Sequence, residues 1–253
     1  KKFAVLFPND PYGVEYANIF WDEVLARGGT VEGAQSYSPK ETDFRYVIQK
    51  LVGTYYIEAR QEEYMLRENE QRDIQRKKSD RGVQKDSLLP SVVDFEALFI
   101  PDGAKALGQI SAMLSYNGVK GVKLLGTNLW NIPSLEKRAG HFSDSLLFVD
   151  SFLNSDKDIE NSLFVRNFKS IYAQEPGLFE LQGYDSALVI QKLIDQGANN
   201  RETLSQALSN LKNFPGAFGP LSMTEEREIM RPLTCLKLGN GTVVPFHEKV
   251  LKK

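Results

Sequence analysis

Phe3-Ala4-Val5-Leu6-Phe7 is an unbroken apolar run dominated by β-forming residues, the pattern of a strand covered on both faces in a parallel sheet. Pro8 to Gly13 interrupts it with turn residues. Tyr16, Ile19, Phe20, Val24 and Leu25 then recur at helical spacing until Gly28-Gly29 ends the helix. Val31 to Tyr37 reads as a second strand, and Phe44, Val47, Ile48 and Leu51 fall on one face of a second helix. The opening stretch is thus a β-α-β-α unit. In such units the loops at the carboxyl ends of the strands open on the crevice that holds ligands, which directs attention to Asn9, Asp10 and Tyr12.

Tyr55 to Arg81 breaks the apolar pattern, with strong helix formers, no Pro or Gly, and charge at about half its positions. Glu63 with Arg67 and Glu68 with Arg72 stand four apart, acidic residue first, the favourable order on a helix. Only Tyr64, Met65, Leu66 and Ile74 could pack, so the stretch predicts a largely solvated helix, a charged surface arm. Lys85 to Pro90 reads as a loop. The sheet resumes at Ala97 to Ile100, followed by Asp102-Gly103-Ala104 and a helix carrying Leu107, Ile110, Met113 and Leu114. Val122 to Leu125 predicts a further strand, with Gly126-Thr127-Asn128-Leu129-Trp130 at its carboxyl end. With right-handed crossovers, the loops after Phe7, Ile100 and Leu125 open on one edge of one parallel sheet. Asp102, Gly103, Thr127 and Asn128 thereby join the candidate site.

Leu146 to Phe152 reads as the next strand and Ile159 to Tyr172 as an amphipathic helix carrying Leu163, Phe164, Phe168 and Ile171. A helix from Gln182 turns Leu188, Val189, Leu193 and Ile194 to a core and ends at Gly197. Arg201 to Leu211 follows, with Asn200 as its cap. Phe214 to Pro220 reads as a turn. Leu233 to Leu238 and Thr242 to Phe246 flank Gly239-Asn240-Gly241, a hairpin signal.

Composition narrows the chemistry. With 31 basic and 33 acidic residues in 253, the chain has no bulk charge to draw nucleic acid or an anionic membrane. One cysteine, Cys235, excludes an internal disulfide framework and a cysteine-cluster metal site; in mid-strand it reads as an inert thiol. The two histidines, His141 and His247, are too few for a histidine metal cluster and read as surface residues. No dinucleotide, phosphate-loop or nucleophile-elbow motif occurs, and no apolar run approaches the roughly 20 residues of a membrane span. The sequence therefore points to binding without catalysis, with no cofactor and no metal.

The order of these features resembles the type I periplasmic binding proteins, most of all the leucine/isoleucine/valine-binding branch. The short apolar strand, the Asp10-Pro11-Tyr12-Gly13 turn, the helix closed by Gly28-Gly29 and Thr42-Asp43-Phe44 opening a helix are similar to that family's second lobe. Gly183-Tyr184-Asp185-Ser186-Ala187 and Gly219-Pro220-Leu221 also follow in family order. The resemblance implies an α/β fold of three-layer α/β/α lobes with parallel sheets. Residues 1–150 would form lobe 2 with a charged helical insertion at 55–93, residues 151–232 the carboxyl-terminal part of lobe 1, and residues 233–253 a hairpin returning to lobe 2. In the family an amino-terminal half of lobe 1 precedes the stretch that matches Phe3, so the resemblance implies that this half is absent here. A start at Lys1-Lys2, without initiator Met or leader, fits a mature product or a fragment. The helices bearing Leu163, Phe164, Phe168, Leu188, Val189, Leu193 and Leu204 are then expected to leave an apolar face uncovered, worth on the order of 10 kcal/mol for several hundred Å².

The resemblance also gives the candidate residues roles. Tyr12 corresponds to the position from which the family's amino-acid binders press an aromatic ring on the ligand. Asn128 falls where an acidic residue would capture an ammonium group, and Gly103 where a second aromatic is expected; both departures argue against an amino-acid clamp. The charged insertion, Phe99-Ile100-Pro101-Asp102 and the Leu125 to Trp130 tract are similar to lipoprotein activators of penicillin-binding proteins, which share the fold and bind a synthase. Two expectations stand. In the first, Asn9, Asp10, Tyr12, Asp102, Gly103, Thr127 and Asn128 line an interlobe cleft that binds a small, amino-acid-like ligand in the periplasm for an ABC permease. In the second, a cell-envelope interaction protein, an outer-membrane lipoprotein, has a lapsed cleft and contacts a peptidoglycan synthase through surfaces such as the charged arm.

Overall fold

The computed structural model describes residues 1–77, 89–153 and 162–246. It divides into two compact units, Lys1–Phe148 (unit 1) and Val149–Lys253 (unit 2).

Unit 1 is organised by five parallel strands: β1 (Lys2–Pro8), β2 (Thr30–Tyr37), β3 (Ala97–Phe99), β4 (Lys123–Gly126) and β5 (Leu146–Asp150). They lie in the order β2-β1-β3-β4-β5. β1 lies inside the sheet, between β2 and β3, and its residues are buried on both faces. Val5 packs with Ala17, Phe20 and Phe99, while Ala4 and Leu6, pointing the other way, have no exposed surface at all. Helix α1 (Pro11–Ala26) covers β1 and β2; α2 (Arg45–Leu51) packs on β2 and on α4 (Ala104–Tyr116). The result is the expected α/β arrangement, with helices crossing over between parallel strands.

Some sequence expectations shift in detail. The buried stripe of α1 is Gly13, Ala17 and Val24 with Phe20 beside them, whereas Tyr16, Ile19 and Leu25 are exposed. Periodicity alone could not choose between these two adjacent stripes. Phe20 decides it by stacking on Phe99, with centroids 4.3 Å apart, and meeting Phe3 edge-on. The charged arm is a 3-10 turn, Ile57–Arg60, leading into α3 (Gln61–Lys77). Glu68–Arg72 pairs at 2.9 Å as its spacing predicts, but Glu63 lies nearer Arg60 (2.7 Å) than Arg67 (3.4 Å). Arg60 also donates to the carbonyls of Gly53 and Pro90, so the base of the arm is tied down while its outer face is solvated. The remainder of the arm and of the loop read before Pro90, residues 78–88, lies outside the described residues, as do Ile159 and His247.

A short helix, α5 (Leu135–Ala139), packs on α4 in unit 1. Unit 2 contains α6 (Leu163–Tyr172), α7 (Leu178–Asp195) and α8 (Arg201–Ser209). Asn200 caps α8 as its position suggests, accepting from the Thr203 amide at 3.0 Å. Helix α7 begins four residues before Gln182, because the Glu180 carboxylate accepts from the Gly177 amide and closes the first turn there; Gly183 lies inside the helix. The stretch read as a turn at Phe214 to Pro220 instead supplies β6 (Phe214–Gly216) and the start of β7 (Gly219–Met223). With β8 (Ile229–Met230) these make a three-stranded antiparallel sheet. Val189, Leu193, Leu211, Leu221 and Met223 form one core, and Phe152, Val165, Leu181 and Phe218 another. The predicted hairpin is β9 (Thr234–Gly239) and β10 (Thr242–Pro245), turned through Asn240 (φ 52°) and Gly241 (φ 80°). Two consecutive positive φ values are what a two-residue type I′ turn demands. Of the residues expected on an uncovered apolar face, Val189 and Leu193 are instead buried in the first of the two unit 2 cores with Leu204 packed against it, because the antiparallel sheet covers them. Leu163, with Ile171 and Phe179, stands largely exposed, at 69%, 71% and 83%.

Candidate functional site

The seven residues singled out from sequence all follow β1, β3 and β4, which are neighbours and parallel; all therefore lie at one edge of the unit 1 sheet. Each loop is shaped by its own residues. After β1, Asp10 is the N-cap of α1: its Oδ1 accepts from the Gly13 amide at 2.8 Å, with Pro11 opening the helix. Gly13 passes so close to Pro8 that a β-carbon there would collide with the Pro8 carbonyl. Asp10 thus has a local structural role. Its replacement by alanine is expected to cost about 1 kcal/mol of stability, read as a lowered midpoint in urea unfolding.

Tyr12, presented by this tight start, reaches across to β4, where its hydroxyl donates to Thr127 Oγ1 at 2.8 Å. Thr127 is buried, and Tyr12 lies half-buried against the Tyr16 ring, centroids 4.4 Å apart. Burial holds the Tyr12 phenol above its ordinary pKa, so it remains a hydrogen-bond donor at neutral pH.

After β3, Asp102 is the most heavily bonded residue of the edge. Its Oδ2 accepts from the Tyr37 hydroxyl at 2.7 Å, its Oδ1 from the Gly103 amide, and its backbone carbonyl from Trp130 Nε1 at 2.8 Å. Gly103 is half-buried, and the space in front of its α-carbon is open. After β4, Gly126 backs directly onto the Trp130 indole, which any side chain at 126 would strike. Trp130 has no exposed surface. Asn9 and Asn128 lie on the exposed rim.

The structure therefore brings Tyr12 to Thr127 and fixes Asp102 beside Gly103, with Asn9 and Asn128 left as rim amides. It adds Tyr37, Trp130 and Tyr16, which sequence reasoning did not assign to the site. Tyr37 was legible in part: as the last residue of the second predicted strand, it shares the carboxyl edge with the other loops. Trp130 stood in the tract after β4, but nothing in the sequence shows its indole turning back beneath Gly126. Burial, the hydrogen bond to Asp102 and the negative charges of Asp102 and Asp10 all push the Tyr37 phenol far above its ordinary pKa. The edge thus offers an aromatic wall, a fixed carboxylate and neutral amides, the fittings of a solute site. Among the described residues no group of three His, Cys, Asp or Glu side chains comes together to hold a metal ion, and no helix is long and apolar enough to cross a membrane. His141 is exposed, and burial raises the Cys235 thiol pKa, which disfavours the reactive thiolate.

A family model described as periplasmic binding protein matches residues 89–242, more than half of the chain. No curated protein matches it. Among solved structures, the chain is similar to a leucine-binding protein from Thermotoga maritima MSB8, with 20% identity over 98% of this chain and 60% of that one and a TM-score of 0.64. It is also similar to a branched-chain amino acid transporter substrate-binding protein from Streptococcus pneumoniae in complex with isoleucine: 16% identity, 96% and 58% coverage, TM-score 0.63. A third is an ABC-transporter solute-binding protein from R. palustris in complex with benzoate: 16% identity, 97% and 57% coverage, TM-score 0.62. At these identities the likeness is one of fold, and the chain spans about three fifths of the length of these structures.

Proposed function

The chain belongs to the periplasmic binding protein family, and from that premise we propose that it is the non-catalytic, solute-binding part of an ABC-type transport or sensing system in the periplasm. Its ligand is a small, polar, amino-acid-like molecule received at the carboxyl edge of β1, β3 and β4. The observation that carries this reading is the pairing of Tyr12 with Thr127 across that edge. The pair orients an aromatic face from the β1 loop against a buried hydroxyl from the β4 loop and leaves the Asn9 and Asn128 amides and the open space at Gly103 beside it. An aromatic ring fixed by its own hydroxyl gives contact area at little cost in conformational freedom.

The edge also bears on the ligand's charge. Burial is the main cause that raises the Tyr12 and Tyr37 phenols, and the Asp102 carboxylate adds to it for both and the Asp10 carboxylate for Tyr37. A ligand seated here therefore presents a positive or hydrogen-bond-donating group to this unit and turns any carboxylate elsewhere. A neutral Asn128 supplies less attraction than a carboxylate would, so affinity rests more on the Tyr12 wall.

The test is calorimetric titration of the full-length protein with the common amino acids and with benzoate. Tyr12→Ala is expected to weaken binding by about 1–3 kcal/mol while leaving the unfolding midpoint nearly in place, because the ring is half-buried and outside the core. Absence of heat with every one of these solutes, in parent and variant alike, overturns the reading.

A further inference from the structure

Three hydrogen bonds of the unit 1 edge converge on the short turn Asp102-Gly103, and one of them comes from a buried side chain that ends the neighbouring strand β2. Tyr37 ends β2 and is 5% exposed. Its ring is set edge-on against Phe44, centroids 4.9 Å apart at 77°, and Phe44 is itself buried at the start of α2. Its carbonyl accepts from the Asn9 amide at 2.7 Å, tying β2 to the β1 loop. The hydroxyl is thus placed by the core, and its one donor goes to Asp102 Oδ2 at 2.7 Å. With that oxygen held, the other accepts from the Gly103 amide, and Trp130 Nε1 donates to the Asp102 carbonyl.

The turn so fixed is where the backbone meets open space, since among the described residues, its two chain neighbours apart, no atom lies within 4 Å of where a β-carbon at Gly103 would stand. Gly103, the N-cap of α4 in extended backbone, is anchored on one side by its carbonyl, which accepts from the Leu107 amide at 3.1 Å, and glycine restrains the other side least of all residues; there the buried phenol supplies a restraint through Asp102. Preorganisation of this kind lowers the entropy that a ligand would otherwise have to supply on binding. We propose that Tyr37 is a positioning residue of the solute site: through Asp102 it holds the Asp102-Gly103 turn in its receiving geometry and so sets affinity without touching the ligand. This rests on the solute-binding reading above.

Tyr37→Phe tests it, since it keeps the ring and the Phe44 contact and removes only the donor. Two measurements are made on the full-length protein: amide hydrogen exchange at Gly103, with Val5 and Leu98 of the adjoining strands as internal references, and calorimetric titration with isoleucine and with benzoate. Gly103 exchange is expected to accelerate about tenfold or more relative to Val5 and Leu98, and affinity for the solute that binds the parent to fall by about tenfold or more, the scale for losing one hydrogen bond to a charged group. Unchanged protection at Gly103 overturns the proposal. So does equal loss at Val5 and Leu98, which marks a residue that merely supports the core, and so does a loosened Gly103 with undiminished affinity. If Gly103 loosens but neither these two solutes nor any other of the common amino acids binds the parent, the role of Tyr37 in fixing the turn is upheld and the solute-binding reading is what fails.

Discussion

Asp185→Ala is expected to cost about 3–5 kcal/mol of folding stability, the range for stranding one partner of a buried ion pair. Asp185 sits on α7 with 1% of its surface exposed. Its Oδ2 accepts from Arg231 Nη2 at 2.7 Å and its Oδ1 from the Ala217 amide at 2.6 Å. The Arg231 side chain is only 10% exposed, and its guanidinium lies 3.8 Å over the Phe218 ring, which in turn meets Phe152 edge-on. Removing the carboxylate therefore strands a charge among aromatic rings and leaves an amide without its acceptor. Both tryptophans, Trp21 and Trp130, belong to unit 1, so the loss is followed by far-UV circular dichroism during urea unfolding rather than by tryptophan fluorescence. Asp185→Leu combined with Arg231→Met, which removes both charges, is expected to recover much of the deficit. A single-variant cost under about 1 kcal/mol, the scale of an exposed pair, would refute the buried-pair account.

Trp130→Ala is expected to cost a similar amount, about 3–5 kcal/mol, for a different reason. The indole is wholly buried between Gly126 and Phe148, its centroid 6.4 Å from the Phe148 ring, so truncation opens a cavity that the neighbouring backbone cannot close. It also takes the donor from the Asp102 carbonyl. Urea unfolding followed by circular dichroism, with an unchanged slope and a lowered midpoint, is the expected signature. Trp130→Phe, which refills most of the volume but not the N–H, separates packing from the hydrogen bond. A Phe variant as damaged as the Ala variant would show that the hydrogen bond dominates and would overturn the cavity argument.

The sequence disclosed the sheet edge better than the groups that furnish it. Strands such as Phe3 to Phe7 and Val122 to Leu125 are legible because a continuous apolar run between turn residues has few other uses, and once three such strands are parallel their loops must share an edge. Tyr12 was legible for the same reason, as the aromatic in the first loop. Tyr37 and Trp130 were not assigned, because their importance lies in contacts to Asp102, 65 and 28 residues away in the chain, and no local pattern encodes a partner at that distance. Helix α7 starts earlier than its sequence pattern suggests for a physical reason as well: Gly183 looks like a start signal, while the bond from the Gly177 amide to Glu180 is visible only with side chains in place. The short strands β6 and β7 are not legible in the sequence because Pro215, Gly216, Gly219 and Pro220 carry turn chemistry even when paired. The residues matched by the family model begin at 89, so β1, α1 and β2, which place Tyr12 and Tyr37, lie upstream of that match and are placed by the fold comparison alone.

The half-buried thiol of Cys235 in β9 has a practical use. It is the one cysteine in the chain, and burial raises its pKa, so the reactive thiolate is scarce while the hairpin stays closed. An alkylating reagent would therefore label the native protein slowly and at a single known position, and faster whenever the β9–β10 ribbon opens and exposes the thiol fully. That makes the thiol a built-in clock for local opening, and it requires no engineered residue and no perturbation of the ligand edge.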